Sequence, residues 1–347
     1  MNASFKQLMA EATRLTRAGE LQRATAAIQA ALAGVSAPTA RGTTTVIDVD
    51  ARVVDTTTVA MPLPPAPLAG QFISGSHTEA AGTRDYKLFV PPGHHARPLP
   101  LVVMLHGCTQ NPDDFAAGTA MNEAALERGF YVLYPAQAQS ANASRCWNWF
   151  KHNHQQRGRG EPALLAGMTR EVMKRYHVDP QRVYVAGLSA GGAMAAILGD
   201  AYPDLFAAVG VHSGLPAGSA SDLPSAFAAM KSGGGTSAQS ATPPTIVFHG
   251  DEDTTVHPLN GEQAVAASAG AVAPELERAC SANGRAYTRR IYRDASGRVV
   301  AEHWAVHGGG HAWSGGDARG SYTDAKGPDA TEAMLRFFFS QTLHAVR

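Results

Sequence analysis

Apolar and polar positions change period twice along the chain. Between residues 4 and 34 the apolar side chains recur at three- and four-residue spacing. Phe5, Leu8, Met9, Ala12 and Leu15 form one stripe, and Leu21, Ala24, Ile28, Ala31 and Leu32 form another after Gly19. This spacing predicts two short amphipathic helices, with Ser4 and Gln7 as a capping pair and Gly34 as a stop. No second copy follows, so the pattern predicts a helical hairpin appended to the main domain rather than a repeat array. An oligomerisation or targeting element is the alternative. Residues 35–70 lose the period and become rich in Thr, Ala and Pro, which predicts an extended linker.

From residue 71 to the end, short apolar runs alternate with helical stripes. Strands are expected at 71–76, 85–90, 101–105, 131–134, 183–188, 207–212, 245–249, 287–293 and 302–306. Helices are expected at 122–128, 164–176, 193–198 and 330–339. The run Leu101-Val102-Val103-Met104-Leu105 has no polar position, as expected of a parallel strand covered on both faces. The strand at 287–293 is rich in arginine, which places it near a sheet edge. Strands alternating with helices imply an α/β fold, a mostly parallel sheet with helices on both faces, whose ligands bind beyond the carboxyl ends of the strands. The organisation expected is a hairpin at 1–34, a linker at 35–70 and a catalytic α/β domain at 71–347.

Composition removes several function classes. Acidic and basic residues balance at 29 each, which gives no electrostatic footprint for nucleic acid or an anionic membrane surface. No apolar run reaches the length of a membrane span. The N-terminus shows no basic segment followed by an apolar one, so no secretory signal is read and a cytoplasmic location is expected. Three cysteines, Cys108, Cys146 and Cys280, are neither a disulfide framework nor a metal motif. No cofactor and no metal are expected. The cluster His152, His154, Arg157 and Arg159 lacks nearby carboxylates and reads as a solvated loop. The oligomeric state, a dimer included, stays open.

The candidate chemistry centres on Val183-Tyr184-Val185-Ala186-Gly187-Leu188-Ser189-Ala190-Gly191-Gly192. A buried strand runs into a small-residue turn with serine at its apex, the pattern of a nucleophile elbow. Glycine at the flanking positions removes Cβ atoms that would crowd the turn. The following helix would aim its N-terminus at the serine, which suits a developing oxyanion. A serine nucleophile needs a base and a carboxylate that orients it, and in this chain order acid precedes base. The strand ending at Phe248 leads into His249-Gly250-Asp251-Glu252-Asp253; Asp253 is the expected acid and Asp251 the runner-up. His311 follows the glycine loop 308–310 and is the expected base, with His307 as a strand-end residue. One oxyanion donor is expected from the Ala190 N–H. The other should come from Leu105-His106-Gly107-Cys108-Thr109-Gln110, at Cys108 or, alternatively, Thr109.

Six stretches carry a resemblance over about residues 71–340. They are 105–110, Cys146-Trp147-Asn148-Trp149-Phe150, 187–192, His212-Ser213-Gly214, 249–253 and Gly310-His311-Ala312-Trp313-Ser314-Gly315-Gly316. Together they resemble the catalytic domain of short-chain-length polyhydroxyalkanoate (PHB) depolymerases. They are similar also to feruloyl and acetyl-xylan esterases of the same α/β-hydrolase superfamily. The resemblance implies ester hydrolysis through an acyl-enzyme on Ser189, with Asp253 and His311 as partners. It also suggests a Cys108–Cys146 disulfide, which a cytoplasmic location opposes, and its members are often secreted. Depolymerases of solid polymer usually carry a signal peptide and a surface-binding domain. Neither is read here, so soluble oligomers, amorphous polyester or small esters fit better. An acyltransferase and a non-catalytic binding scaffold are the readings from other classes.

Substrate contacts are expected from Trp147, Trp149 and Trp313, three of four tryptophans, because aromatic faces line apolar clefts. Asn148 is a candidate donor to an ester carbonyl. Residues 215–243, rich in Gly, Ser and Pro with Phe227 and Met230 on a short helical piece, are a candidate lid or cleft edge.

Overall fold

The apolar run at 101–105 lies at the centre of a ten-stranded sheet in the computed structural model of the chain. The structure describes residues 69–93, 97–235 and 243–343, all within one unit, Pro65–Arg347. The expected hairpin at 1–34 and nearly all of the expected linker fall outside the described residues.

The strands are β1 (Gln71–Glu79), β2 (Gly82–Val90), β3 (Leu99–Leu105), β4 (Tyr131–Pro135), β5 (Val178–Leu188), β6 (Ala208–His212), β7 (Thr245–Gly250), β8 (Glu275–Cys280), β9 (Ala286–Arg293) and β10 (Val299–Val306). Their spatial order is β1-β2-β4-β3-β5-β6-β7-β10-β9-β8. The six from β4 to β10 run parallel, and β1, β2, β8 and β9 continue the two ends antiparallel. The helices are α1 (Pro112–Thr119), α2 (Met121–Arg128), α3 (Gly160–Arg175), α4 (Ala190–Ala201), α5 (Leu223–Ser232), α6 (Leu259–Ala269) and α7 (Ala330–Phe339).

Alternation along the buried strands divides the core into two layers. Leu101, Val103, Leu105, Val183 and Val185 point to one face, where α3 to α6 supply Leu165, Val172, Met194, Leu198, Ala226 and Val265. Val102, Met104, Tyr184, Ala186 and Leu188 point to the other, against Phe115, Met121, Met334, Phe337 and Phe338 of α1, α2 and α7. A fully apolar strand therefore needs no solvent face, because each side has its own helices. This is the α/β-hydrolase fold expected from the sequence.

Three of these strands and helices were not anticipated. The helix α1 follows Asn111, whose side chain accepts from the Asp114 N–H as N-cap, with Pro112 opening the first turn. The helix α6 contains Gly261 in its first turn and is rich in alanine, so its apolar stripe is thin. The strand β8, Glu-Leu-Glu-Arg-Ala-Cys, is exposed at nearly every position and is the true sheet edge. The arginine-rich β9 is thus one strand in from the edge. Arg289 pairs with Glu277 of β8 and the buried Glu302 of β10, and Arg293 pairs with Glu275.

Candidate active site

Ser189 follows β5 directly and caps α4 with φ 59° and ψ −120°. Its N–H donates to the His212 carbonyl at the end of β6 (2.8 Å), and its carbonyl accepts from Ala193 N (2.9 Å). A Cβ built on Gly191 would lie 2.0 Å from the Leu105 carbonyl oxygen, and one on Gly187 would lie 2.4 Å from the Gly191 carbonyl carbon. The glycines thus let the elbow close against the end of β3, a tertiary requirement added to the local one. Ala190 is the first residue of α4, where the N–H has no intrahelical acceptor.

The loop after β3 lies against the serine. A Cβ on Gly107 would be 3.7 Å from Ser189 Cβ. Gln110 pins this loop: its Oε1 accepts from Gly107 N, and its Nε2 donates to Asp114 and to the Ser321 carbonyl. Thr109 has φ 67°, and its N–H donates to the Ser144 carbonyl at 2.7 Å. That corrects the alternative: the Thr109 donor is spent, whereas the Cys108 N–H has no acceptor among the described residues. Cys108 and Cys146 are joined by a disulfide, with their Cα atoms 4.2 Å apart.

The two aspartates after β7 separate cleanly. Asp253 is buried; its Oδ2 accepts from His311 Nδ1 at 2.7 Å, and its Oδ1 accepts from the Thr255 and Val256 N–H groups. His249 Nε2 lies 3.4 Å from the same Oδ2 and donates to the Val256 carbonyl. Burial alone would raise the Asp253 pKa, but these donors hold it well below the usual carboxylate range. Asp251 instead points outward to His307 Nδ1 (2.8 Å) and Gly308 N (2.7 Å). With Nδ1 engaged, His311 has Nε2 left for proton transfer. Ser189 Oγ and His311 Nε2 are not hydrogen-bonded to each other; in substrate-free hydrolases this contact is often long.

His212 joins the two halves of the site, a role that sequence reading missed. Its carbonyl holds Ser189 N, and its ring Nε2 accepts from Ser314 N, three residues beyond His311 (2.9 Å). The ring stacks between Phe248 and Trp313. Burial holds its pKa down to about 3, which keeps Nε2 unprotonated and able to accept. The available signal was a histidine at the polar end of an apolar strand.

The expected substrate residues are corrected. Trp147 is wholly buried and donates from Nε1 to the His106 carbonyl. Trp313 is equally enclosed and donates to Thr331 Oγ1. Asn148 is buried and spends its amide on Glu161 and the Ala141 carbonyl. Trp149 is buried edge-on against Phe150. All four hold loops in place. Asn148 is anchored on Glu161, buried in α3, which accepts from Asn148 N, Asn148 Nδ2 and Gln137 Nε2. Gln137 N in turn donates to the buried ring of His106, whose pKa burial lowers to about 4. In the cluster at 152–159, Arg157 pairs with Asp204 and His154 approaches Glu161. Among the described residues no group of three or more His, Cys, Asp or Glu is set to hold a metal ion, and no helix is long and apolar enough to cross a membrane. Phe227 stands exposed on α5, while Met230 packs partly against the core.

Comparison with known proteins places the chain in a family. The family described as "Esterase PHB depolymerase" matches residues 84–270, just over half of the chain. Poly(3-hydroxyalkanoate) depolymerase C of Paucimonas lemoignei is 34% identical over 238 residues, 64% of this chain and 56% of that protein. Poly(3-hydroxybutyrate) depolymerase of Ralstonia pickettii is 30% identical over 270 residues, 71% of this chain and 54% of that protein. The chain thus spans about half the length of these curated relatives. Among solved structures, an acetyl xylan esterase from Aspergillus awamori superposes with a TM-score of 0.61 at 21% identity, covering 77% of this chain and 99% of that one, which speaks for the fold. By the family match across the elbow and both loops that flank it, the chain belongs to the PHB depolymerase esterase family.

Proposed function

We propose that the chain is a serine esterase that hydrolyses polyester or oligoester bonds of the short-chain polyhydroxyalkanoate type. The observation that carries the reading is the buried Asp253–His311 pair joined, through His212, to the Ser189 elbow. His311 Nε2 takes the Ser189 Oγ proton as Oγ attacks the ester carbonyl carbon. The carbonyl oxygen becomes an oxyanion that accepts from the Ala190 and Cys108 N–H groups, at the positive end of α4. The tetrahedral adduct collapses, the alcohol leaves with the proton from His311, and an acyl-Ser189 ester remains. Water, deprotonated by His311, then releases the acid and restores Ser189. Asp253 stays ionised throughout; its depressed pKa matches a group that orients His311 and balances the imidazolium.

The names of the two depolymerase relatives support a hydroxyalkanoate polyester as substrate. A second reading is an acetylxylan esterase, which the 28% identity to acetylxylan esterase A of Talaromyces purpureogenus supports. The Cys108–Cys146 disulfide favours work in an oxidising compartment over the cytoplasm. The test is a panel of hydroxybutyrate oligomers, amorphous polyester, acetylated xylan and feruloyl sugars, run with wild type and Ser189→Ala. Ser189→Ala should lower kcat on every substrate by about 10⁴-fold or more. Retained turnover would remove Ser189 as nucleophile, and preference for acetylated xylan over oligoesters would select the second reading. Transfer of the acyl group to an added alcohol in preference to water would make the chain an acyltransferase.

A further inference from the structure

Two Asp–His pairs span the same two loops. The inner pair, Asp253–His311, is the acid and base assigned above. The outer pair, Asp251–His307, sits two residues earlier on the acid loop and four residues earlier on the histidine loop. We propose that Asp251 and His307 are positioning residues: together they clamp the acid loop to the glycine loop and so set the Asp253–His311 geometry. This rests on the reading of Asp253 and His311 as the acid and base.

The clamp is dense for a surface feature. Asp251 Oδ2 accepts from His307 Nδ1 at 2.8 Å, and Asp251 Oδ1 accepts from Gly308 N at 2.7 Å. The backbones are joined beside it, Asp251 N to the Val306 carbonyl (3.1 Å) and Glu252 N to the Gly309 carbonyl (3.0 Å). His307 Nε2 meets Thr288 Oγ1 on β9 at 2.9 Å, so the ring is held from both nitrogens. The loops touch without side chains between them: a Cβ on Gly250 would lie 2.1 Å from the Gly309 carbonyl oxygen. Glycine backbone is soft, so closeness alone does not fix a register. His311 stands two residues beyond Gly309 and has one hydrogen bond, to Asp253, to hold its Nδ1. An acid–base pair needs placement to within a fraction of an ångström, and the outer pair supplies the missing constraint.

The experiment compares Asp251→Asn, His307→Phe, His307→Gln and the double variant Asp251→Asn/His307→Phe in the full chain. Asp253→Asn marks the site, and Arg293→Gln is a distant surface ion-pair control. His307→Phe should lower kcat by about five- to tenfold with KM within about twofold, and Asp251→Asn should do the same. His307→Gln, which keeps a donor for Asp251, should recover most of the loss. The double variant should be no worse than either single one, because each opens the same clamp. The rate at which a fluorophosphonate labels Ser189 should fall in parallel, and the low-field proton signal of His311 Nδ1–H should weaken or move. A purely structural role would change thermal stability and leave both of these readouts alone. If kcat, labelling rate and the low-field signal are unchanged in Asp251→Asn and His307→Phe while Asp253→Asn abolishes turnover, the clamp is overturned and the site stands. If Asp253→Asn itself keeps turnover, the acid assignment falls, and the clamp with it.

Discussion

Ser189 sits at positive φ, where a side chain is costly, and the surrounding contacts hold it there. Those contacts leave no volume at Gly191, whose Cβ would stand 2.0 Å from a backbone oxygen. Gly191→Ala should therefore abolish activity and destabilise the protein by about 3 kcal/mol or more, read from urea unfolding and ester turnover. A normal variant would mean that the elbow can shift away from β3. At the acid, Asp253→Asn should lower kcat by about 10³- to 10⁴-fold, against about tenfold or less for Asp251→Asn. The reverse order would move the acid to Asp251. The sequence named both residues and preferred Asp253; burial and the bond to His311 separate the two in the structure, since both follow the same strand.

At the level of the element, the oxyanion loop is held from several directions. Cys108 is bonded to Cys146, Thr109 N to Ser144, Gln110 to Asp114 and Ser321, and His106 to Trp147 and Gln137. The disulfide closes a sequence separation of 38 residues. Its loss in Cys146→Ser should cost about 2–4 kcal/mol by the loop-entropy argument, measurable as a lower urea midpoint. Reductant should mimic the variant in the wild type and leave Cys146→Ser unaffected; equal sensitivity of both would point to another thiol. The tryptophans illustrate what periodicity cannot tell. Trp147 stands in an irregular loop and Trp313 in a two-residue strand paired with Thr323–Asp324, outside any apolar period, a placement that points to a cleft. A loop folded over a strand end can bury a ring as fully as a helix can, and each indole N–H then needs an internal acceptor.

At the scale of the whole molecule, three of the buried histidines among the described residues have a pKa lowered by burial. Burial lowers the pKa of His106 to about 4 and of His212 and His303 to about 3, from an ordinary value of 6.5. Below that ordinary value the unfolded chain gains protons that the folded chain refuses. Each histidine therefore removes stability as pH falls through this window, by up to about 1.4 kcal/mol per pH unit. Asp253, with its depressed pKa, adds a further loss in the carboxylate range and below. Urea midpoints should drop clearly between about pH 7 and about pH 5. A midpoint that does not move across this range would show that the unfolded chain gains no more protons than the folded one.

The sequence by itself determined the parallel core, the elbow pattern, and the placing of Ser189, Asp253 and His311 each after a strand. Each of these is written in local chemistry: an apolar run, a pair of glycines, a polar residue at a strand end. It did not show the edge strand β8, whose Glu275 and Glu277 are paired by arginines of the neighbouring strand rather than by any pattern of their own. Tertiary structure alone decided which aspartate meets His311, which amide after Gly107 stays free, and whether a tryptophan faces a cleft or a core. These outcomes depend on which atoms from distant loops arrive at the same strand ends. Hydrogen bonds and close contacts across hundreds of residues have no period for the sequence to display.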